Sequence, residues 1–454
     1  MILVERRGVK CGHEWFEILD NLCWLSKNLY NATLYEVRQH FFKCKREYEA
    51  LIDVAIDDDY VFSEEELKEM KTGWYLNYNA VNKKFTNESQ FDYRQLPAKV
   101  GKLVQQLVEK SYKSFFALLK MKQRGEYDKP VNPPYYLDTK KGKQVLTYTK
   151  QALKFGRKGF VGLSGTDIWI ETKHDVRFVR LVPKKNGLIV MEIGYEAECK
   201  SPQIGGVAGG DLGVSNLITL ATANSRAYII NGKPLKSINQ YFNKELAKEK
   251  SYISKFKTKS GKERKSSRRI KRLYQKRNAK IDNYLHKASR EVVEWCLAHG
   301  VSSLVIGYNQ GWKQKVNMGD KTNQNFVDIP FLHFLEMIAY KCKLEGIDVL
   351  TLNEAHTSKC SFYDEEPVKH HKNYAGRRVE RGLFRTCEGI LVNADVNGAL
   401  NMLAKFAANG AKLFGAKKEE KKVAWNGFNY SDYVEACSTP LVSTIKERKV
   451  WNVE

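Results

Sequence analysis

The spacing of hydrophobic residues changes along the chain. In residues 15–55, and again in 96–121, apolar and aromatic residues recur every three or four positions, which predicts helices with one buried face. From residue 129 to 200, short segments such as DIWIET and GLIVMEIGYEA alternate between apolar and polar residues instead, as half-buried strands do. We therefore expect a helical region followed by an antiparallel β-barrel or sandwich.

Strand and helix patterns alternate after residue 206. VAGGDLGVSNLITLAT and SRAYIINGK predict adjacent strands, a buried strand is predicted at 301–307, and another strand is predicted at 347–354. Amphipathic helices are predicted over 329–346 and 393–410. This alternation predicts a central mixed sheet with parallel strands. The predicted fold class is multidomain α+β, with a helical region, a β-barrel region and an α/β domain.

The charge of the chain points to a polyanionic partner. Lys and Arg total 76 against 52 Asp and Glu, a net charge of +24, and nucleic acid is the commonest partner of so basic a protein. The segment 244–278 is extreme, with 15 Lys and Arg against three Glu. It is either a solvated helical hairpin around Ser260–Gly261 or, the interpretation we favour, a hairpin that faces nucleic acid.

Other compartments and partners are not indicated. No apolar stretch approaches the roughly 18–20 residues of a membrane-spanning helix, and the N-terminal sequence lacks the apolar core of a signal peptide. We therefore expect no membrane partner and no secretion. The nine cysteines include no C-x-x-C pair, which argues against a disulfide framework and suits a reducing compartment.

Three carboxylates have positions that suit a shared metal site. Asp211, in GGDLG, either opens a strand as an Asx turn or ligates a metal. Glu354 is predicted to end the strand VLTLNE, and Asp395 to begin the last helix, where Gly398 and Ala399 allow a close approach to the sheet. Carboxylates that converge at one sheet edge suit two Mg²⁺ or Mn²⁺ ions. Two such ions about 3.5–4 Å apart support phosphodiester cleavage.

Two segments resemble motifs of a known family. GGDLGVSNLITLAT resembles the first RuvC motif of the TnpB family of transposon-encoded RNA-guided nucleases, and NADVNGALNM resembles the third. Fanzor proteins and compact type V CRISPR effectors share this core. The segments LYNATLYEVRQHF and LPAKVGKLVQQLVEKSYKSFFALLK are similar to the family's helical recognition region. The likeness covers most of the chain and is weak before residue 15 and after 410.

The resemblance implies a division into domains. Residues 1–14 would supply the first strand of a β-barrel (wedge-like) domain, and 129–205 its remainder. Residues 15–128 would form the helical recognition domain. Residues 206–454 would form an RNase H-like (RuvC) nuclease domain, with 355–392 as a degenerate zinc-finger-like insertion that binds target nucleic acid.

The second catalytic acid departs from the family pattern. Members commonly carry a glutamate at the end of the strand of the second motif, but Gly307 holds that place and the next acid is Asp320. The branch that includes Fanzors has a relocated glutamate, which Glu354 matches. Strands about 4.8 Å apart allow a glutamate one strand over to reach the same metals. The alternative is that Glu354 caps a helix or is simply solvated.

The insertion departs from the family as well. Members often carry two C-x-x-C pairs there, but Cys360 is followed by Tyr363, and Cys387 stands alone. His356, His370 and His371 lie nearby without a regular tetrahedral spacing. We expect no zinc.

The function implied by the resemblance is RNA-guided cleavage of DNA in a mobile element. A guide RNA would pair with double-stranded target DNA beside a short flanking motif, and a monomer in complex with RNA would cut it through Asp211, Glu354 and Asp395 with Mg²⁺ or Mn²⁺. The alternatives are a catalytically inactive RNA-guided DNA-binding protein and an RNase H-like resolvase or transposase that acts without RNA.

Two further predictions concern substrate contacts and location. Residues Trp312–Gln314 are core and loop residues or contacts to the substrate strand. The protein would be nuclear in a eukaryotic host and cytoplasmic in a bacterium. Lys-rich runs such as KSSRRIKRLYQKR suit a nuclear signal and RNA binding equally well.

Overall fold

A computed structural model describes most of the chain in two compact units, residues 1–197 and 198–454. The described residues are 1–57, 63, 75–184, 187–202, 204–223, 225–257, 261, 263–309, 328–413 and 441–443. The end of the acidic patch IDDDY and the segment Trp312–Gln314 lie outside them. The finer division into domains stays a prediction.

Unit 1 contains two antiparallel sheets. Strands β1 (Ile2–Lys10), β2 (Leu146–Thr149), β6 (Val176–Lys184) and β7 (Leu188–Glu196) form the first, in the order β1-β7-β6-β2. Strands β3 (Leu153–Lys154), β4 (Phe160–Leu163) and β5 (Trp169–Glu171) form the second.

The predicted antiparallel strands are present, but the predicted barrel is not found. Within the described residues, β1 and β2 are the two edges of the first sheet and do not pair with each other. The second sheet is a separate group of strands two to four residues long. Closure into a barrel would require a continuous ladder of hydrogen bonds around all the strands, and these two sheets are open.

The helices of unit 1 agree with the hydrophobic pattern. They are α1 (Phe16–Asp57), α2 (Tyr78–Asn87), α3 (Phe91–Arg94) and α4 (Ala98–Gln123). In α4, residues from Val100 to Phe115 at helical spacing are buried, and Pro97 immediately precedes the first turn as predicted. Ile18 of α1 is 44% exposed, because the neighbouring Leu19 takes the inward position.

Unit 2 is built on the predicted mixed sheet. Its strands are β8 (Gly206–Leu212), β9 (Asn216–Thr222), β10 (Ser225–Asn231), β11 (Val301–Gly307), β12 (Asp348–Leu352) and β16 (Leu441–Ser443). Their order is β12-β11-β8-β9-β10-β16. The pairs β8–β11 and β11–β12 are parallel, and β9 is antiparallel to both of its neighbours. The sequence pattern did not predict β16, which is parallel to β10.

Helices follow the strands of unit 2 as the alternation predicted. The basic segment forms a hairpin of α5 (Lys233–Ser254) and α6 (Arg268–Ala298), followed later by α7 (Phe331–Leu344) and α8 (Ala394–Leu413). Between α7 and α8 lies a small sheet of β13 (Arg377–Glu380), β14 (Leu383–Arg385) and β15 (Leu391–Asn393). No helix in the described ranges is long and apolar enough to cross a membrane.

The glycine pair before Asp211 allows α8 to pack directly on the sheet. A Cβ added at Gly209 would lie 2.0 Å from the backbone oxygen of Ala399 on α8. Any larger residue at this position would therefore push the helix away from β8. This contact fixes the start of α8 beside the end of the strand that carries Asp211.

Candidate active site

Asp211 lies on β8, at the edge of the sheet that faces the start of α8. Gly210 lies opposite Ile306 in the parallel pair β8–β11. The next residues of the two strands, Asp211 and Gly307, are therefore neighbours. An alanine at Gly398 would place its Cβ 3.1 Å from Oδ2 of Asp211. The absence of a side chain at Gly398 therefore leaves room for this carboxylate against the helix.

Asp395 lies in the first turn of α8. The side-chain oxygen of Asn393 accepts hydrogen bonds from the backbone N–H groups of Asp395 (2.9 Å) and Val396 (3.1 Å), which caps the start of the helix. The amide of Asn216 donates to Oδ2 of Asp395 at 2.7 Å, and Nη2 of Arg378 lies 3.3 Å from Oδ1. The carboxylate of Asp395 is therefore held from both sides.

Glu354 lies beside Gly307. Strand β12 ends at Leu352, so Glu354 follows the strand by two residues rather than ending it as predicted. A Cβ added at Gly307 would lie 3.1 Å from Cβ of Glu354 and 3.2 Å from its Oε2. The side chain of Glu354 thus lies above Gly307, in the space where the side chain of a glutamate at position 307 would begin.

Asn309 holds Glu354 in this position. Its side-chain oxygen accepts a hydrogen bond from the backbone N–H of Glu354 at 3.2 Å, and its amide nitrogen is 3.4 Å from Oε1 of the carboxylate. Because Asn309 follows β11 and Glu354 follows β12, these contacts join the loops after two parallel neighbours. The three carboxylates therefore gather at one edge of the sheet from β8, from the loop after β12 and from α8.

The negative charge of Asp211 is opposed by burial and by the two other acids. Burial raises the pKa of Asp211 well above its usual range, the negative charges of Asp395 and Glu354 raise it further, and Arg378 lowers it. Burial also raises the pKa of Glu354 to about 7. A cation at this edge would offset the repulsion and favour the ionised carboxylates.

The donor set suits a hard divalent cation. Its oxygen ligands are the type that Mg²⁺ and Mn²⁺ prefer, and no side chain in the described part of the chain donates a hydrogen bond to the partly buried Asp211 carboxylate. As they stand, no three His, Cys, Asp or Glu side chains among the described residues are grouped closely enough to hold one ion. Metal binding would therefore require the carboxylates to draw together.

Two family models match segments that lie mostly in unit 2. A family model described as a probable transposase, OrfB_IS605, matches residues 189–313, and a Cas12f1-like TNB domain model matches residues 331–402. The TnpB-like protein ORF457 of Acidianus two-tailed virus is 24% identical over 428 residues, which cover 85% of this chain and 83% of the relative. The chain is thus similar to TnpB-like proteins. The predicted resemblance to the TnpB family is thereby confirmed, whereas the branch with a relocated glutamate stays a prediction.

Solved structures of RNA-guided proteins are also similar to this TnpB-like chain. The alignment with a cryo-EM structure of a Cas12f1–sgRNA–target DNA complex covers 86% of this chain and 83% of the chain in that structure, with a TM-score of 0.46 and 12% identity. The alignment with a structure of the mini-RNA-guided endonuclease CRISPR-Cas_phi3 covers 89% of this chain and 92% of that chain, with a TM-score of 0.43 and 10% identity.

The cysteines of the insertion in this TnpB-like chain have partners within the protein. The buried thiol of Cys360 donates to the backbone oxygen of Lys369 at 3.4 Å, and the exposed thiol of Cys387 donates to Oδ1 of Asp364 at 2.9 Å. Nε2 of His371 donates to the backbone oxygen of Pro367 at 2.7 Å. The structure does not bring Cys360, Cys387 and the predicted histidines into one ligand group within its described residues. The expectation of no zinc stays a prediction.

Sequence analysis missed the amides and the arginine that organise the site. Besides Asn216 and Asn309, two buried asparagines of α8 bind the loop after Glu354: the side chains of Asn397 and Asn401 donate to the backbone oxygen of Cys360 at 2.8 and 2.7 Å. Their four-residue spacing in NADVNGALN places them on one helix face. That spacing could have indicated their shared role, whereas no local pattern marks Arg378.

Proposed function

We propose that this TnpB-like chain is an RNA-guided DNA endonuclease of a mobile element, with Asp211, Glu354 and Asp395 as its catalytic, metal-ligating residues. The observation that carries the proposal is the convergence of these carboxylates from three separate elements, with Glu354 in the space above Gly307. A purely structural role would not explain why Asp211 is gathered at one sheet edge with two acids that make its ionisation less favourable.

The surrounding residues fix the geometry of the acids. Gly398 leaves room for Asp211 against α8, Asn216 orients Asp395 by a 2.7 Å hydrogen bond, and Asn309 positions the loop that bears Glu354. Two divalent cations held by these carboxylates would activate a water molecule and stabilise the leaving oxygen of a phosphodiester. Partial burial of Asp211 and Glu354 strengthens their attraction for a cation, because water screens it less.

The basic surfaces provide the binding site for the nucleic-acid partner. The hairpin α5–α6 carries most of the basic segment 244–278, and residues such as Lys250 and Arg272 are exposed. Contacts of this kind bind the phosphate backbone without reading sequence. We propose that one chain binds one guide RNA, that base pairing selects the double-stranded target, and that the protein reads only a short flanking motif.

The experiment purifies the chain with its co-purifying RNA, identifies that RNA and supplies a matching linear duplex with Mg²⁺. We expect RNA of one size that ribonuclease removes, cleavage of the matched duplex, and no cleavage after chelation of the metal. The Asp211→Asn variant should bind the target but lose cleavage by at least about a hundredfold. Asp348→Asn, an exposed aspartate of β12, is the matched control and should cut normally.

Two other outcomes would overturn the proposal in favour of a different function. Target binding and protection without Mg²⁺-dependent cuts by the unaltered chain would select an inactive RNA-guided DNA-binding protein. Cleavage or strand transfer by a preparation free of RNA would select an RNase H-like resolvase or transposase.

A further inference from the structure

Arg378 is the one charged side chain of the described insertion that forms an ion pair with a predicted catalytic acid. It lies on β13, opposite Phe384 of β14. Its Nη2 is 3.3 Å from Oδ1 of Asp395, and the other oxygen of Asp395 accepts from Asn216. Both oxygens of this carboxylate are therefore engaged by protein donors.

A guanidinium in this place opposes metal binding in two ways. Oδ1 of Asp395 would have to exchange its contact with Arg378 for a cation, and the nearby positive charge repels a divalent ion. The charge of Arg378 also acts on Asp211. It lowers the pKa of that carboxyl, whereas the charges of Asp395 and Glu354 raise it. Arg378 thus supplies part of the positive charge that the carboxylate group would otherwise obtain from metal.

The arginine is free to leave this position. Its side chain is 43% exposed, against 26% for Asp395, and every residue of β13 is exposed. Its remaining hydrogen bonds go to the backbone oxygen of Arg381 in the same hairpin. Withdrawal of the side chain therefore disrupts no buried contact among the described residues.

We propose that Arg378 is a displaceable counter-ion that occupies the carboxylate site of the nucleic-acid-free chain and must leave before divalent cations bind tightly. The inference rests on the proposed function of the three acids. A phosphate of the substrate DNA strand is the partner that would draw the guanidinium away, because its oxygens match the fork of Arg donors. Metal binding and DNA binding then strengthen each other by the same factor, which restrains metal loading until DNA is present.

The test measures Mn²⁺ binding by electron paramagnetic resonance on the full chain after nucleic acid has been removed. Arg378→Ala should bind Mn²⁺ about tenfold more tightly than the unaltered chain, since an adjacent charge and a competing donor are gone. Arg377→Ala, which removes the same charge from the neighbouring exposed position, should change the affinity less than twofold. With guide RNA and a non-cleavable target duplex bound, the advantage of Arg378→Ala should shrink to below about threefold.

The outcomes separate this inference from the proposed function. If Asp211→Asn abolishes Mn²⁺ binding while Arg378→Ala leaves the affinity unchanged or weaker, the counter-ion role is overturned and the metal site stands. An equal gain from Arg377→Ala overturns the role as well, because it would show a general effect of charge. If Asp211→Asn retains full Mn²⁺ binding, the proposed metal site itself is overturned.

Discussion

The two sides of the candidate site hold their carboxylates by different means. On the α8 side, Asp211 and Asp395 lie where a helix packs directly on a strand, with glycines at Gly209 and Gly398 that permit the contact. On the β11–β12 side, Glu354 lies in a loop and is held by Asn309 and by the space above Gly307. The first side depends on backbone packing, whereas the second depends on side chains that can adjust.

This difference means that similar glycine substitutions should have different consequences. On the α8 side, a methyl group at Gly209 would meet the backbone of Ala399, which cannot move unless the helix moves. On the β11–β12 side it would meet the side chains of Glu354 and Met402 at 3.1–3.2 Å, which can shift by a few tenths of an ångström. We therefore expect loss of stability on the α8 side and loss of cleavage on the β11–β12 side.

The largest expected effect is that of Gly209→Ala on stability. Its Cβ would lie 2.0 Å from the Ala399 backbone oxygen, so α8 must move, at a cost of about 3 kcal/mol in the free energy of unfolding. Urea denaturation of the full chain measures this cost. Gly382→Ala, whose Cβ would meet nothing within 4 Å, is the control. A stability loss for Gly209→Ala no larger than that of the control would refute direct packing of α8 on β8.

The next effect concerns pH and separates Glu354 from the rest of the site. Since burial raises its folded-state pKa from 4.5 to about 7, the folded chain holds a proton between those values that the unfolded chain has released. The stability that this proton contributes is fully present below about pH 4.5 and is lost as the pH rises through 7. In the absence of divalent cations, the loss in the free energy of unfolding is about 2–3 kcal/mol.

The matching measurement compares unfolding at pH 5 and pH 8 in the presence of a chelator. The glutamine of Glu354→Gln cannot ionise. Between pH 5 and pH 8 this variant should therefore lose about 2–3 kcal/mol less stability than the unaltered chain. Glu380→Gln, an exposed glutamate of β13, should behave like the unaltered chain. Equal pH dependence in all three proteins would show that Glu354 is not buried in this way.

The smallest expected effect is that of Gly307→Ala. We expect a stability loss below about 1 kcal/mol, because the neighbouring side chains can yield, together with about a tenfold slower cleavage, because Glu354 is displaced from the other acids. Unfolding and single-turnover cleavage measured on the same preparation give both numbers. Loss of stability as large as that of Gly209→Ala, without slower cleavage, would remove the distinction between the two sides.

The same distinction explains how much the sequence could predict. Helix α4 and strand β11 follow from local hydrophobic periodicity, and the mixed sheet follows from the alternation of such elements. The open sheets of unit 1 could not be predicted, since the pattern within a strand does not state whether the edge strands β1 and β2 meet. Strand β16 was missed because it is three residues long and carries too little pattern.

The site was predictable only in part, for a similar reason. Asp211 and Asp395 lie within segments whose glycines and asparagines mark close packing and a helix start. The bond from Asn216 to Asp395 and the ion pair of Arg378 join residues that are 179 and 17 positions apart, and they depend on the folded arrangement of loops. The catalytic role of the three acids stays a prediction.

Single-turnover cleavage of a matched duplex by the Glu354→Gln variant, reconstituted with guide RNA and saturating Mg²⁺, decides whether Glu354 is a catalytic acid. Glu380→Gln is the control, because it makes the same change at an exposed position. We expect Glu354→Gln to bind target DNA normally and to cleave at least about a hundredfold more slowly, while the control cleaves normally. Cleavage by Glu354→Gln at the unaltered rate would show that Glu354 is not part of the catalytic site.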